Sequence, residues 1–361
     1  MIKIRFISNF FNHHQKPLCD AIASCGVDFR FYSTSEMPEE QLRLGYKQMT
    51  EEYVEHYMSS EEQIGDILSS DAVIFAYKPS GLLKQCLDRG ILTFIYTERL
   101  YKRRRWKAFL PTMIMKYRSM YMSSKSMPYI LCAGAYVKDD FAIFGFPKER
   151  CFKWGYFPES TPTYIKRDFK GKLNIIWVGR FIDWKHPDIA AKVSMSLQKK
   201  EIPHHLHMLG TGQLVDKIRR FVNKNRLPNI TLHGAVQSSK VKDYMRNAHI
   251  LLMTSDEQEG WGAVVNEGMS CGCIVIAFNK VGSIPYLIQD KVNGYVYCRP
   301  KVEDIVEIIE SNYRCGGFNS TVSDKAVDTI EYEWNEVIAA KRLVNFIKFN
   351  KVESSGPLSL A

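Results

Sequence analysis

The sequence predicts an α/β protein of two doubly wound domains, each a parallel sheet with helices on both faces. Three observations carry this. Short apolar strand candidates alternate with helical patterns in both halves of the chain, as βαβ units do. The 361 residues exceed what one core usually holds and suit two. Between the halves, Gly155-Tyr-Phe-Pro-Glu-Ser-Thr-Pro-Thr163 and Lys166-Arg-Asp-Phe-Lys-Gly171 hold prolines, small polar residues and little periodicity, as a linker does.

In the first half, strands are expected at Lys3–Ser8, Val27–Tyr32, Ala72–Ala76, Leu92–Thr97 and Tyr129–Cys132. Helices are expected to begin near Pro17, Gly81 and Ala135. A basic helix is expected between the last two strands. Pro38 to Ser60 is rich in Glu and Gln with little strand character, which reads as a helical excursion. In the second half, strands are expected at Leu173–Val178, His205–Leu209, Ile230–His233, Ile250–Thr254 and Ile274–Ala277. A helix is expected from about Gly262 to Cys271, stopped by Gly272. A long amphipathic helix follows at Glu333–Lys348, and Lys351 onward reads as a loose tail. The expected boundaries are 1–160, 161–330, a terminal helix over 331–350 and a tail over 351–361.

Hydrophobic residues make up 45% and charged residues 24%, the balance of an ordinary globular protein. Met1-Ile-Lys-Ile-Arg-Phe-Ile-Ser8 interleaves charge with apolar residues and reads as a first strand, not a signal peptide. No segment approaches the ~18 apolar residues of a membrane helix. The nine cysteines lack a repeated Cys-x-x-Cys spacing, against a disulfide framework or zinc ribbon, and the expected compartment is the cytoplasm. Cys271 and Cys273 read as small buried hydrophobes.

The net charge of +10 points to anionic partners. Arg99 to Lys125 contains no acidic residue, and Arg103-Arg104-Arg105-Trp106-Lys107 leads into Ala108–Arg118, where apolar and basic residues alternate at helical spacing. Such a helix suits an anionic membrane surface, or forms a solvated basic face. No nucleic-acid-binding motif accompanies the charge, so nucleic acid is not expected.

The richest stretch runs from Ser255 to Ala277. It sets Glu259 and Glu267 in a strand–loop–helix–strand passage, with Gly260 and Gly262 letting backbone approach a ligand at the helix start. Free N–H groups there suit a phosphate, and the two carboxylates could grip hydroxyls on either side of it. That is the chemistry of a nucleotide sugar.

The pattern resembles the Glu-x7-Glu signature of retaining glycosyltransferases of the GT-B fold, family 4 (glycosyl transferases group 1), of the bacterial surface-polysaccharide type. Other pieces follow the family's order from about 173 to 300. Leu173 to Pro187 is similar to its strand, Gly-Arg turn and Lys. His207-Met-Leu-Gly-Thr-Gly212 resembles its Gly-x-Gly turn, and Ile230 to Val236 its strand and loop beside the nucleobase. Val281-Gly-Ser-Ile-Pro285 and Asn293-Gly-Tyr-Val-Tyr297 follow.

The resemblance implies two Rossmann-like domains facing each other across a cleft, with the terminal helix crossing back to the first. It implies donor contacts at Gly179, Gly210, Gly212, Gly234, Val236, Gly260, Trp261, Gly262 and Glu267, and catalytic roles for Arg180, Lys185 and Glu259. Arg180 and Lys185 would neutralise the leaving diphosphate in place of a metal; neither metal nor cofactor is expected, and Asp139-Asp140 is no Asp-x-Asp. Trp261 would pack over the sugar or face the core.

Two departures stand out. Many relatives have a glycine-rich loop after the first strand; here Asn9-Phe-Phe-Asn-His-His-Gln-Lys16 has no glycine and offers Asn12, His13 and His14 to an acceptor. Many also place a histidine near the donor sugar, where this chain offers Glu98 and Arg99 after Thr97. Val215 stands where a dinucleotide fingerprint would want Gly or Ala, and no P-loop is present.

The expectation is a metal-independent, retaining hexosyltransferase. It would take a nucleotide-sugar donor, UDP-linked in the first instance, and a glycan or lipid-linked acceptor at the inner face of the plasma membrane. The alternatives are an epimerase or phosphorylase on the same fold, or a non-catalytic nucleotide-sugar-binding partner.

Overall fold

The computed structural model describes residues 1–38, 49–77, 80–102, 105–159 and 167–361. The chain forms two compact units: Met1–Glu159 with Trp334–Ala361, and Ser160–Glu333.

The first unit is built on seven strands: β1 Lys3–Ser8, β2 Asp28–Ser33, β3 Val54–His56, β4 Ala72–Phe75, β5 Leu92–Thr97, β6 Tyr129–Ala133 and β7 Cys151–Trp154. Their order is β3-β2-β1-β4-β5-β6-β7, every pair parallel. The central strands are continuous apolar runs because helices cover both faces. The order reverses between β1 and β4, which opens a crevice at their carboxyl ends.

The second unit has six parallel strands: β8 Leu173–Val178, β9 His204–Leu209, β10 Ile230–Gly234, β11 Ile250–Met253, β12 Ile274–Phe278 and β13 Tyr295–Tyr297. Their order is β10-β9-β8-β11-β12-β13, so the reversal falls between β8 and β11. The expected doubly wound α/β architecture is thus present in both units.

Five details correct the sequence reading. Within Pro38–Ser60, where a helical excursion was expected, Val54–His56 is an edge strand pairing with Phe31–Ser33; residues 39–48 lie outside those described. Three residues of ladder suffice there, because Tyr53 and Tyr57 extend the pairing through backbone bonds to Phe31 and Ser33. Strands β7 and β13 carried no expectation, being only four and three residues long.

The basic segment is not one helix. A 3₁₀ turn spans Arg105–Phe109, and the α-helix Pro111–Met122 starts afresh after Leu110. Proline fits a first helical turn but cannot continue one. Arg103 and Arg104 lie outside the described residues. The helix expected near Ala135 is the short Val137–Ala142.

The tail is not loose. Leu358 is fully buried, Lys153 N donates to Ser359 O, Leu358 N to Lys153 O and Ala361 N to Cys151 O. Arg342 Nη1 holds the turn through Ser355 O at 2.6 Å and Pro357 O at 3.0 Å. Strand β7 is the sheet edge, and the tail satisfies backbone groups that would otherwise stand open. The terminal helix Glu336–Phe349 packs on the helix Lys16–Ala23, and its Phe346 sits 5.1 Å from the rings of Tyr129 and Phe152.

Candidate active site

In the second unit the residues singled out from the sequence gather at the β8/β11 switch point. The turns after β8, β9 and β10 are knitted backbone to backbone. Gly179 N donates to Leu209 O at 3.0 Å, Gly210 N to Gly234 O at 2.8 Å and Phe181 N to Thr211 O at 2.8 Å. A Cβ on Gly210 would overlap the Gly179 carbonyl, and one on Gly212 would stand 2.6 Å from Phe181 O. Both positions have positive φ, at +130° and +148°. Only glycine fits there, so the Gly-x-Gly turn is a close-approach device. Val236 follows Gly234 in the loop leaving β10, partly exposed.

Lys185 ends the 3₁₀ turn Asp183–Lys185, ahead of His186 at φ +48° and the helix Pro187–Lys199. Its ammonium forms an ion pair with the Glu259 carboxylate. The two loops are also joined in backbone, Asp256 N to Trp184 O at 2.9 Å, and His186 Nε2 lies 3.1 Å from Asp256 Oδ2. Thr254 Oγ donates 2.7 Å to Lys185 O and accepts from the buried Trp177 indole at 2.8 Å. A buried Trp–Thr relay therefore fixes the backbone that aims Lys185. Arg180 is exposed, its guanidinium 5.6 Å from the Trp184 ring centre.

Gly262, at φ +86°, leads into the helix Val264–Ser270, which ends with Gly272 at φ +75°. This helix is shorter than the expected Gly262 to Cys271, and Glu267 lies in its first turn. Gly260 and the backbone of Trp261 lie in the loop before it, held by Gly282 N to Glu259 O at 3.3 Å and Ser283 N to Trp261 O at 3.2 Å. The Trp261 side chain is fully buried and donates to Asn266 Oδ1 at 2.8 Å. Its indole faces the core; a ligand would meet only its backbone. Burial pushes the Glu267 carboxyl up to about 7, with Lys242 pulling the other way. Cys271 and Cys273 are buried as read.

In the first unit a cavity of about 310 Å³ lies at the β1/β4 switch point. Asn12, His14 and Glu98 line it, with Gln15, Tyr96 and Tyr156, which no motif singles out; His13 is not among its lining. Burial and the neighbouring His13 hold the His14 imidazole down to about 3, so it is neutral at physiological pH. Arg99 is removed from the candidates. It is buried and paired with Asp140 at 3.0 Å, and Asp140 also accepts from Leu100 N at 3.0 Å. A buried pair of this kind is structural, since breaking it costs about 3–5 kcal/mol. Among the described residues, no group of three or more His, Cys, Asp or Glu side chains could hold a metal ion.

Arg167 was also missed. Its guanidinium donates to Met245 O at 3.0 Å, Arg246 O at 2.7 Å and Cys271 O, capping the C-terminal ends of the helices Ser238–Asn247 and Val264–Ser270 together. The sequence signal, one basic residue at the end of the linker, was too weak to find it.

Residues 165–327 match the model for glycosyl transferases group 1. An uncharacterized glycosyltransferase of Methanocaldococcus jannaschii is 29% identical over 170 residues, 47% of this chain and 46% of that protein. The chain spans about half the length of the first curated relatives it matches. Two solved structures share the fold across 96–97% of this chain and all of theirs: Anabaena HepE in complex with UDP, TM-score 0.72 at 13% identity, and the lipopolysaccharide outer core galactosyltransferase WaaB, TM-score 0.69 at 17% identity. The family match lies within the second unit, and the two doubly wound units are of the GT-B type that these structures share.

Proposed function

We propose that this chain is a retaining glycosyltransferase that moves a sugar from a nucleoside diphosphate, UDP in the first instance, to a glycan or lipid-linked glycan in surface-polysaccharide assembly. The observation that carries the proposal is the meeting of Lys185 and Glu259 at the β8/β11 switch point, beside glycine turns that admit only bare backbone. Open α/β sheets bind ligands in that crevice. The UDP bound to HepE and the lipopolysaccharide role in WaaB's name support the donor and the setting.

On this reading, Gly179, Gly210 and Gly212 let the diphosphate approach the backbone. Arg180 and Lys185 neutralise its charge as the bond between the sugar's anomeric carbon and the diphosphate oxygen breaks. Backbone N–H groups of Gly260, Trp261 and Gly262 face the sugar and diphosphate. Glu267 accepts from ribose hydroxyls, and Glu259 lies by the transferred sugar. The loop of Gly234 and Val236 runs beside the nucleobase. The acceptor hydroxyl forms the new bond on the face the diphosphate leaves, passing its proton to a diphosphate oxygen. No metal takes part in this reading.

We also place the exposed face of residues 106–118, within the basic stretch, against an anionic leaflet. Trp106, Phe109 and Met115 are 61%, 63% and 69% exposed beside the exposed cations Lys116 and Arg118. Among the described residues, no helix is long and apolar enough to cross a membrane.

A nucleotide-release assay over a panel of UDP- and GDP-sugars, with and without chelator, tests the proposal. Slow UDP release from one donor, insensitive to chelator, is expected. No release from any donor, or a strict need for added metal, would overturn it.

A further inference from the structure

The Lys185–Glu259 ion pair has a companion between the same two loops. His186 Nε2 lies 3.1 Å from Asp256 Oδ2, the side chains 33% and 18% exposed. Lys185 and His186 are neighbours on the turn after β8, and Asp256 and Glu259 share the loop after β11. An ionised carboxylate only accepts, so the imidazole carries its proton on Nε2 and donates it.

Local structure aims both partners. Pro187 disfavours the right-handed helical region for the residue before it. His186 takes the left-handed region, at φ +48°, where histidine, asparagine and aspartate are enriched over other side chains. Its carbonyl accepts from Thr254 Oγ at 3.1 Å and from Ile189 N at 3.0 Å, which fixes the backbone from which the ring reaches out. Asp256 is the hub of the other loop. Its Oδ1 accepts from Gln258 N at 2.8 Å, its Oδ2 from Gln258 Nε2 at 3.2 Å and its carbonyl from Glu259 N at 3.1 Å. Its own N–H donates to Trp184 O at 2.9 Å. Whatever holds Asp256 therefore sets where the Glu259 backbone begins.

A diphosphate that takes Lys185 competes with Glu259 for the ammonium. The ion pair joining the loops in the ligand-free protein is then the contact the donor exchanges away. We propose that His186 and Asp256 are positioning residues, whose hydrogen bond keeps the Glu259 loop in register on the Lys185 turn while Lys185 turns to the donor. The clamp stands on the geometry alone; its use in turnover rests on the glycosyl-transfer reading. A partly exposed pair adds little to global stability, so loop order and turnover identify it better than melting does.

The test is amide hydrogen exchange on the full chain, without ligand and with saturating UDP, beside steady-state nucleotide release from the sugar nucleotide that turns over fastest. His186→Asn suits the left-handed backbone but is too short to reach Asp256, and Asp256→Ser keeps the local turn but not the reach. In each, amides of residues 255–262 should exchange about tenfold faster or more, the gap widening with UDP, while those of β8 keep their rates. The kcat should fall about tenfold, with UDP affinity within about threefold of wild type. His186→Gln, whose amide N–H stands near the place of Nε2, should restore most of both. The double variant His186→Asn/Asp256→Ser should lose no more than the worse single one, because both remove one contact. Unchanged loop exchange would overturn the clamp. Faster exchange with unchanged kcat, or losses that multiply in the double variant, would overturn the positioning role. A wild type that releases nucleotide from no donor would sink the glycosyl-transfer reading, and exchange in the ligand-free protein would still decide the clamp.

Discussion

The Lys185 ammonium and the Glu259 carboxylate form an ion pair across the β8/β11 switch point, their side chains only 16% and 14% exposed. The cation proposed for the diphosphate is therefore already neutralised before any donor arrives. Lys185→Ala does more than remove an attraction, because it leaves a lone carboxylate facing the incoming anion. It should lower UDP affinity roughly 10–100-fold. Adding Glu259→Ala should then recover part of the loss, with a coupling of about 0.5–3 kcal/mol by calorimetric titration. Strictly additive effects would mean the pair does not act on the ligand.

Glu267 gives a pH signature. Burial raises its pKa in the folded protein to about 7, above the ordinary 4.5 of a glutamate, so the folded protein holds a proton that the unfolded chain has released between those values. Its contribution to stability is full below the unfolded pKa and is lost as pH rises through about 7. Glu267→Gln should therefore stabilise the apo-protein relative to wild type at pH 8 and flatten this decline, read from melting temperatures between pH 5 and 8. It should also weaken UDP, since the charge-assisted bonds to ribose are lost. An unchanged pH profile would contradict the assignment.

Arg167 should behave as a positioning residue. Removing it leaves carbonyls of two helices without their donor, and one of those helices carries Glu267. Arg167→Met should lose about 2–4 kcal/mol in denaturant unfolding and raise the donor KM more than it lowers kcat. Arg167→Lys, keeping the charge but not the fork, should rescue only part of this. A pure loss of stability with unchanged donor KM would make the contact architectural alone.

The exposed basic and aromatic surface makes a separate prediction. Each basic residue near an anionic leaflet contributes about 1 kcal/mol, so reversing Lys107, Lys116 and Arg118 to Glu should weaken binding to anionic vesicles by 100-fold or more at low salt. UDP affinity should not change. Wild-type protein that ignores such vesicles at low salt would show the surface to be a solvated basic face.

How legible all this was depended on what decides each feature. The buried parallel strands stood out because two covered faces demand continuous apolar runs, and Leu173–Val178 or Leu92–Thr97 can be little else. The edges were illegible: Val54–His56 and Cys151–Trp154 are short, and pairing decides them. The tail read as loose because its order depends on the open edge of β7, which no local pattern announces. At the site, the glycines and charged residues were visible from their spacing, whereas the Trp177–Thr254 relay and the three carbonyls on Arg167 are long-range contacts between residues of ordinary type. Trp261 shows the reverse limit. Its place in the motif was plain, but only packing shows that the indole faces inward to Asn266.

The central claim is that Arg180 and Lys185 meet a diphosphate, and comparing UDP with uridine tests it most directly. Calorimetric titration of wild type, Arg180→Ala and Lys185→Ala with both ligands separates charge recognition from domain shape. Each replacement should weaken UDP at least tenfold while changing uridine less than about twofold, since a charge-assisted contact is worth ~1.5–3 kcal/mol. Equal losses for UDP and uridine would contradict the account.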